Sequence, residues 1–254
     1  MLIVIDIGNT NTVIGLYSND HLKDHFRVAS REHMTADEIG LLLTQWLSQM
    51  SLKNEEIDSV VIASVVPHLG RTYETLAKRY LGCIPTIVSH KLELPITIEI
   101  DQPDQIGADR IANAVAGFKK YGGPIIIVDF GTATTFDVVN EKGAYIGGII
   151  IPGPETSMSE LAKKASRLFE VSIEEPQSVV GKTTTAALKS GLFYGTVGQV
   201  DFIIEKIIGE TNFKNPQVIA TGGLATGIEK YSNQITIVDS TLTLEGLKLI
   251  DDMN

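Results

Sequence analysis

The sequence predicts an α/β protein assembled from two similar halves, each opening with three consecutive strands. Apolar runs rich in β-branched residues alternate with segments of helical period along the chain. An apolar strand ending in Asp-x-Gly occurs twice, as LIVIDIGNTNT and IIIVDFGTATT, with Asp6 and Asp129 lying 123 residues apart, close to half of 254. The same order of elements follows each copy. That predicts a duplication, with lobes 1–120 and 121–254 facing each other across a cleft.

Each element has a local reason. Residues 2–5 are apolar and stopped by Gly8, so they read as a strand and a tight turn. Residues 12–17 form a second strand, and Asn19-Asp20 turns the chain into a third at 21–28. Thr35-Ala-Asp-Glu38 is a capping box. It opens a helix whose Ile39, Leu42, Leu43 and Trp46 follow the i, i+3, i+4, i+7 pattern. A strand is expected at 59–64 and a helix at 67–80, with Pro67 tolerated in its first turn. Short strands at 86–88 and 96–100 lead to a helix at 107–120. Tyr121-Gly-Gly-Pro124 is a loop and the lobe boundary. Beyond it, strands are expected at 125–128, 134–139 and 144–151, then helices at 155–166 and 185–208. A strand at 217–220, a helix after Gly223, a strand at 235–238 and a helix at 242–251 complete the second half.

Composition narrows the function. Lys plus Arg number 21 against 31 Asp plus Glu, a net charge of −10, which argues against a nucleic-acid surface with its basic stripe. Cys83 is the only cysteine and the five histidines are scattered, so neither an internal disulfide nor a thiolate zinc site is supported. No apolar run approaches the ~20 residues that span a bilayer, and no basic region precedes the first apolar run. A cytoplasmic protein without membrane or nucleic-acid partners is expected.

The repeated turn points to phosphate chemistry. Gly8 and Gly131 let backbone approach a ligand where a Cβ would collide. Successive turn N–H groups can converge on an anion. Asn9, Thr10, Thr12, Thr132, Thr134 and Thr135 add neutral donors. A carboxylate beside a phosphate needs a cation between them, so Asp6 and Asp129 imply metal, with Mg²⁺ suited to one carboxylate plus phosphates. Gly181-Lys-Thr-Thr184 imitates the end of a P-loop, but Pro176 stands where that pattern needs glycine. In Gly107-Ala-Asp-Arg110, at a helix start, Asp109 can accept a hydroxyl proton and Arg110 can grip a carboxylate or phosphate. An acidic residue in a first turn is also common for helix-dipole reasons alone.

The paired turns resemble the ribonuclease-H-like, actin-like ATPase fold. Thr221-Gly-Gly-Leu-Ala225 fits the place where that fold sets two glycines against adenosine. A narrower resemblance, to type III pantothenate kinases, runs from residue 1 to about 227. It rests on Asp6-x-Gly-Asn-Thr, Gly107-Ala-Asp-Arg110, Asp129-Phe-Gly-Thr-Ala-Thr-Thr135, Gly147-Gly148 with Pro152-Gly153, Gly181-Lys-x-Thr184 and Ser190-Gly191, in that order. The resemblance implies ATP-dependent phosphorylation of pantothenate to 4′-phosphopantothenate, the first step towards coenzyme A. Asp6, Ile7, Gly8, Asn9, Thr10, Asn11, Thr12, Val13 and Thr132 would bind ATP. Gly107, Ala108, Asp109, Arg110 and Thr184 would bind pantothenate, with Asp109 as proton acceptor. Asp129 would ligate K⁺ or NH₄⁺, and Asp6 would serve Mg²⁺. The family is homodimeric, which makes the 185–208 helix an interface candidate. Two departures stand out: Thr183 replaces a common Asn, and Ile100-Asp101 occupies a region where an aromatic is common. The rival readings are a kinase for another hydroxylated substrate and a nucleotide-binding regulatory protein of the same fold.

Overall fold

The computed structural model describes residues 1–254. The chain begins with β1 (Leu2–Ile7), β2 (Asn11–Ser18), β3 (His21–Ala29), α1 (Ala36–Gln49), β4 (Ser59–Ser64), α2 (Pro67–Tyr80), β5 (Thr86–Ile87), β6 (Thr97–Ile98) and α3 (Ala108–Tyr121). It continues with β7 (Ile125–Phe130), β8 (Ala133–Val139), β9 (Ala144–Pro152), α4 (Pro154–Lys164), α5 (Thr184–Thr211), β10 (Gln217–Gly222), α6 (Ala225–Glu229), β11 (Ile237–Val238) and α7 (Leu242–Asp251). Met1–Lys119 with Thr241–Asn254 form one compact unit, and Lys120–Ser240 form another.

In the first unit the strand order is β3-β2-β1-β4-β5. β1 runs antiparallel to β2, β2 antiparallel to β3, and β4 parallel to both β1 and β5. In the second unit β9-β8-β7-β10-β11 repeats that order with the same directions. The duplication read from the sequence is thus present strand for strand.

Burial explains the composition of each strand. β1 and β7 are central and covered on both faces, so both are almost unbroken apolar runs. β3, at an edge, carries polar residues along most of its length. Ile3, Ile5 and Ile7 pack with Ile39, Leu43 and Leu47 of α1 and Leu69, Tyr73 and Leu76 of α2. In the second unit Ile126, Val128, Phe136 and Val138 meet Phe193, Val197, Val200 and Ile204 of α5. Truncating one of these buried isoleucines to Ala costs about 2–5 kcal/mol.

The capping box at Thr35 forms as expected. Glu38 N donates to Thr35 Oγ1 at 3.2 Å, and Thr35 N donates to Glu38 Oε2 at 2.8 Å. Leu42, expected on the buried stripe of α1, is 43% exposed; the buried face runs instead through Ile39, Gly40, Leu43, Trp46 and Leu47. β1 and β7 each run two residues past the expected end, so Asp6 and Asp129 are strand residues and not turn residues.

The expectation that residues 121–254 form one lobe requires correction. The chain returns to the first unit at Thr241, and α7 packs on β1 and β4. Its glycine, Gly246, lies against the Ala112 backbone of α3, where a Cβ would come within 2.0 Å of the carbonyl oxygen. No helix is long and apolar enough to cross a membrane.

Candidate active site

In the first unit the β1–β2 turn is set by pairing. Asp6 faces Val13 and Ile7 faces Thr12, leaving four residues to reverse the chain. Gly8 N donates to Asn11 O at 3.0 Å, and a Cβ on Gly8 would sit 3.0 Å from that same oxygen. Asn9, Thr10 and Asn11 are exposed, whereas Ile7 and Thr12 are fully buried. The Thr12 hydroxyl lies 2.9 Å from Ser30 Oγ and also hydrogen-bonds the Tyr73 hydroxyl. Of the expected turn donors, the Thr12 side chain therefore serves the fold, holding the turn to the end of β3 and to α2. Ser30 N adds a 2.9 Å bond to Thr10 O.

The other part of the site in this unit is the start of α3. Asp109 sits in its first turn, half-buried, with Oδ1 accepting from Arg110 N at 2.8 Å. Burial pushes its carboxyl pKa up, because a carboxylate loses hydration there. The Arg110 amide and the Arg110 charge pull the other way, and burial prevails. Gly107 makes the placement possible: a Cβ there would lie 2.4 Å from Asp109 Oδ1. A helix-start carboxylate without proton chemistry to perform is normally solvated, with an ordinary or lowered pKa.

In the second unit the β7–β8 turn is one residue shorter. Asp129 faces Thr135 and Phe130 faces Thr134. Residue-for-residue alignment of the two motifs therefore slips beyond the glycine: Thr134 corresponds to Thr12, and Thr135 to Val13. Asp129 is flanked by Thr135 on one side and Thr221 on the other, all directed to the same face of the sheet. Asp6 has Val13 and Ala63 in those places. Thr135 Oγ1 is buried without a partner. Gly222, at φ +86°, lets β10 end beneath the aspartate; a Cβ would be 2.7 Å from Asp129 Oδ1 and 2.5 Å from Phe130 O.

Thr132 is exposed at the tip of this turn. Its carbonyl accepts from Gly153 N at 3.0 Å and from Thr156 Oγ1 at 2.7 Å. Thr184 is exposed in the first turn of α5, capped by Thr183, whose side chain accepts from Ala186 N at 3.1 Å. Gly223, Leu224 and Gly227, following β10, line a cavity of about 370 Å³ with Phe193, Tyr231 and Glu175. Ser30, Tyr73 and Thr156, which brace the two turns, escaped the sequence reading. The residue directly after each third strand was the signal: Ser30 and Gly153 donate to their turns from equivalent positions.

The profile of the type III pantothenate kinases matches residues 2–206. The chain belongs to the type III pantothenate kinase family. A type III pantothenate kinase of Anaeromyxobacter dehalogenans (strain 2CP-C) is 46% identical over 254 residues, spanning the whole of both chains. Membership makes the protein an ATP-dependent kinase of pantothenate, on the route to coenzyme A. Among solved structures, the activator of the 2-hydroxyisocaproyl-CoA dehydratase of Clostridium difficile, with bound ADPNP, is 13% identical with a TM-score of 0.58, covering 99% of this chain and 95% of its own. The ethanolamine utilization protein EutJ of Carboxydothermus hydrogenoformans is 13% identical with a TM-score of 0.56, covering 98% and 89%. These likenesses bear on the fold alone, a duplicated actin-like one.

Proposed function

We propose that Asp109 is the proton acceptor in the phosphorylation of pantothenate, with Gly107, Ala108, Arg110 and Thr184 holding that substrate. The observation that carries this reading is the desolvated carboxylate of Asp109, seated over Gly107 with its pKa raised. A carboxylate in that state is a stronger base than one in water. The primary hydroxyl oxygen attacks the γ-phosphorus, the bond to the β–γ bridging oxygen breaks, ADP leaves, and the hydroxyl proton passes to Asp109. Arg110 pairs with the pantothenate carboxylate.

Asp6, Ile7, Gly8, Asn9, Thr10, Asn11, Thr12 and Val13 receive ATP phosphates, with Ile7 and Thr12 acting through their backbone because their side chains are buried. Thr132 contacts ATP, and adenosine lies by Gly222 and Gly223. Mg²⁺ would come with ATP and offset its charge, and Asp6 would be the carboxylate that helps to hold it. The oxygen donors around Asp129, from Thr135 and Thr221, suit a K⁺ or NH₄⁺ ion. We place the enzyme in the cytoplasm as a homodimer; exposed Ile150 on β9 and Phe202 on α5 are the apolar side chains that support association.

A coupled ADP-release assay with and without pantothenate tests the assignment. Asp109→Asn is expected to lower kcat by about 10²–10⁴-fold while ATP binding stays nearly intact. Retained turnover would sink the assignment. ADP release that ignores pantothenate but follows another hydroxylated acceptor would point to the rival kinase, and ATP binding without ADP release to a regulatory protein.

A further inference from the structure

Between α4 and α5, residues 165–183 form neither helix nor strand, yet the end of this segment is docked closely on the helix it is about to enter. Ser190, buried on α5, donates from Oγ to Val179 O at 2.6 Å. One turn nearer the helix start, Gly181 lies against the backbone: a Cβ there would fall 2.2 Å from Ala187 N and 2.5 Å from the Ala186 carbonyl carbon. Thr183 then caps the helix, accepting from Ala186 N at 3.1 Å. Positions 183, 187 and 190 follow the i, i+4, i+7 spacing of one helix face, so the chain runs back along that face before reversing at the cap. Earlier in the segment, Glu174 pairs with Lys189.

Apolar burial does not hold this stretch in place. The side chains of residues 177–180 and 182–185 are exposed, Val179 and Val180 among them. What anchors it is the Gly181 contact and the Ser190 hydroxyl. That hydroxyl has an unusual partner for a helix. Thr196 and Thr211, further along α5, bond back to the carbonyls of Leu192 and Ile207 in their own helix, each at 2.7 Å. Ser190 instead reaches out of the helix to Val179. The Gly181-Lys-Thr-Thr184 and Ser190-Gly191 stretches are thereby two sides of one joint, and Thr184 is the first residue beyond it.

We infer that Ser190 is a positioning residue for pantothenate: by holding Val179 O it fixes the path of residues 179–183 and hence the place where Thr184 meets the substrate. This rests on the reading of Thr184 as a pantothenate contact. Without the Ser190 bond the docked stretch lifts, the cap at Thr183 loosens, and the first turn of α5 frays. Substrate binding weakens, while groups outside that turn keep their geometry.

Steady-state kinetics with pantothenate and ATP varied in turn test this. Ser190→Ala, a change to the best helix former, is expected to raise the KM for pantothenate about fivefold, the value of one net hydrogen bond, with kcat and the KM for ATP unchanged. In a Thr184→Ala background the same substitution adds nothing, because the group that Ser190 positions is gone. Ile204→Val trims a fully buried side chain of the same helix; it is expected to lower the thermal midpoint and leave the KM for pantothenate alone. A wild-type KM for pantothenate in Ser190→Ala, an equal rise in the KM for ATP, an undiminished effect in the Thr184→Ala background, or the same rise from Ile204→Val overturns the inference. If Thr184→Ala itself leaves the KM for pantothenate unchanged, the Thr184 assignment falls and the inference with it. A Thr184 effect without a Ser190 effect overturns the inference alone.

Discussion

The β1–β2 and β7–β8 turns occupy the same place in two copies of one topology, yet they are finished differently. Both are held by an amide from the residue after the third strand: Ser30 N to Thr10 O, and Gly153 N to Thr132 O. Around the first turn, side chains complete the bracing, with Thr12, Ser30 and Tyr73 joined by their hydroxyls. Around the second, backbone approaches so closely that a Cβ on Gly153 would lie 2.4 Å from Gly131 O and 2.6 Å from Thr132 O. The aspartates differ too: Asp129 stands between two threonines, Asp6 between valine and alanine. A duplicated frame thus fixes where a carboxylate goes, and the neighbouring strand residues decide which partner it can serve.

The largest effect that sharpens this contrast is expected from Gly153→Ala. Its methyl meets backbone that cannot swing aside, so a loss of about 3 kcal/mol is expected. That lowers the thermal midpoint by roughly 6–12 °C, with weaker ATP binding by calorimetry. Next comes Thr135→Val, which removes an oxygen beside Asp129. With K⁺ held beside Asp129 as proposed, the K⁺ concentration giving half-maximal rate should rise about tenfold, while Val13→Thr in the matching position of the first turn leaves the K⁺ response alone. An equal shift from both would break the distinction between the aspartates. Ser30→Ala should cost about 1 kcal/mol, since Tyr73 still serves Thr12. Should it destabilise as much as Gly153→Ala, the first turn is no more forgiving than the second.

Asp109 provides the mildest test, and its sign is opposite. Its carboxyl pKa is raised on folding by burial, so its charge opposes the fold at pH values above the folded pKa. That opposition fades as pH falls and is gone below the unfolded value of about 3.9. Asp109→Asn should therefore raise the melting temperature near pH 7, with the gain shrinking towards pH 4. Melting curves across pH 4–8 check it; a gain that persists at pH 4 would be due to packing and not to charge.

The succession of elements and the duplication were legible because buried central strands must be apolar on both faces and because Gly follows the carboxylate in both copies. Helix 67–80 and strand 59–64 agree with the structure to the residue, since Pro67 and the flanking serines mark their ends. The one-residue difference between the turns was not legible. The two motifs align without a gap, and only hydrogen-bond register reveals that Thr134, not Thr135, repeats Thr12. The bracing by Tyr73 and Thr156 was hidden for a related reason: a hydroxyl contact across 61 or 24 residues leaves no periodic trace. Nor does a period show that a final amphipathic helix covers the first sheet instead of the second.

That last placement orders events during synthesis. With α7 supplied by the final stretch of chain, the β1–β4 surface stays uncovered until the whole intervening unit has left the ribosome. The second unit, contiguous from Lys120 to Ser240, can mature earlier. A nascent chain stopped anywhere before residue 241 carries an unfinished first half, however complete its second.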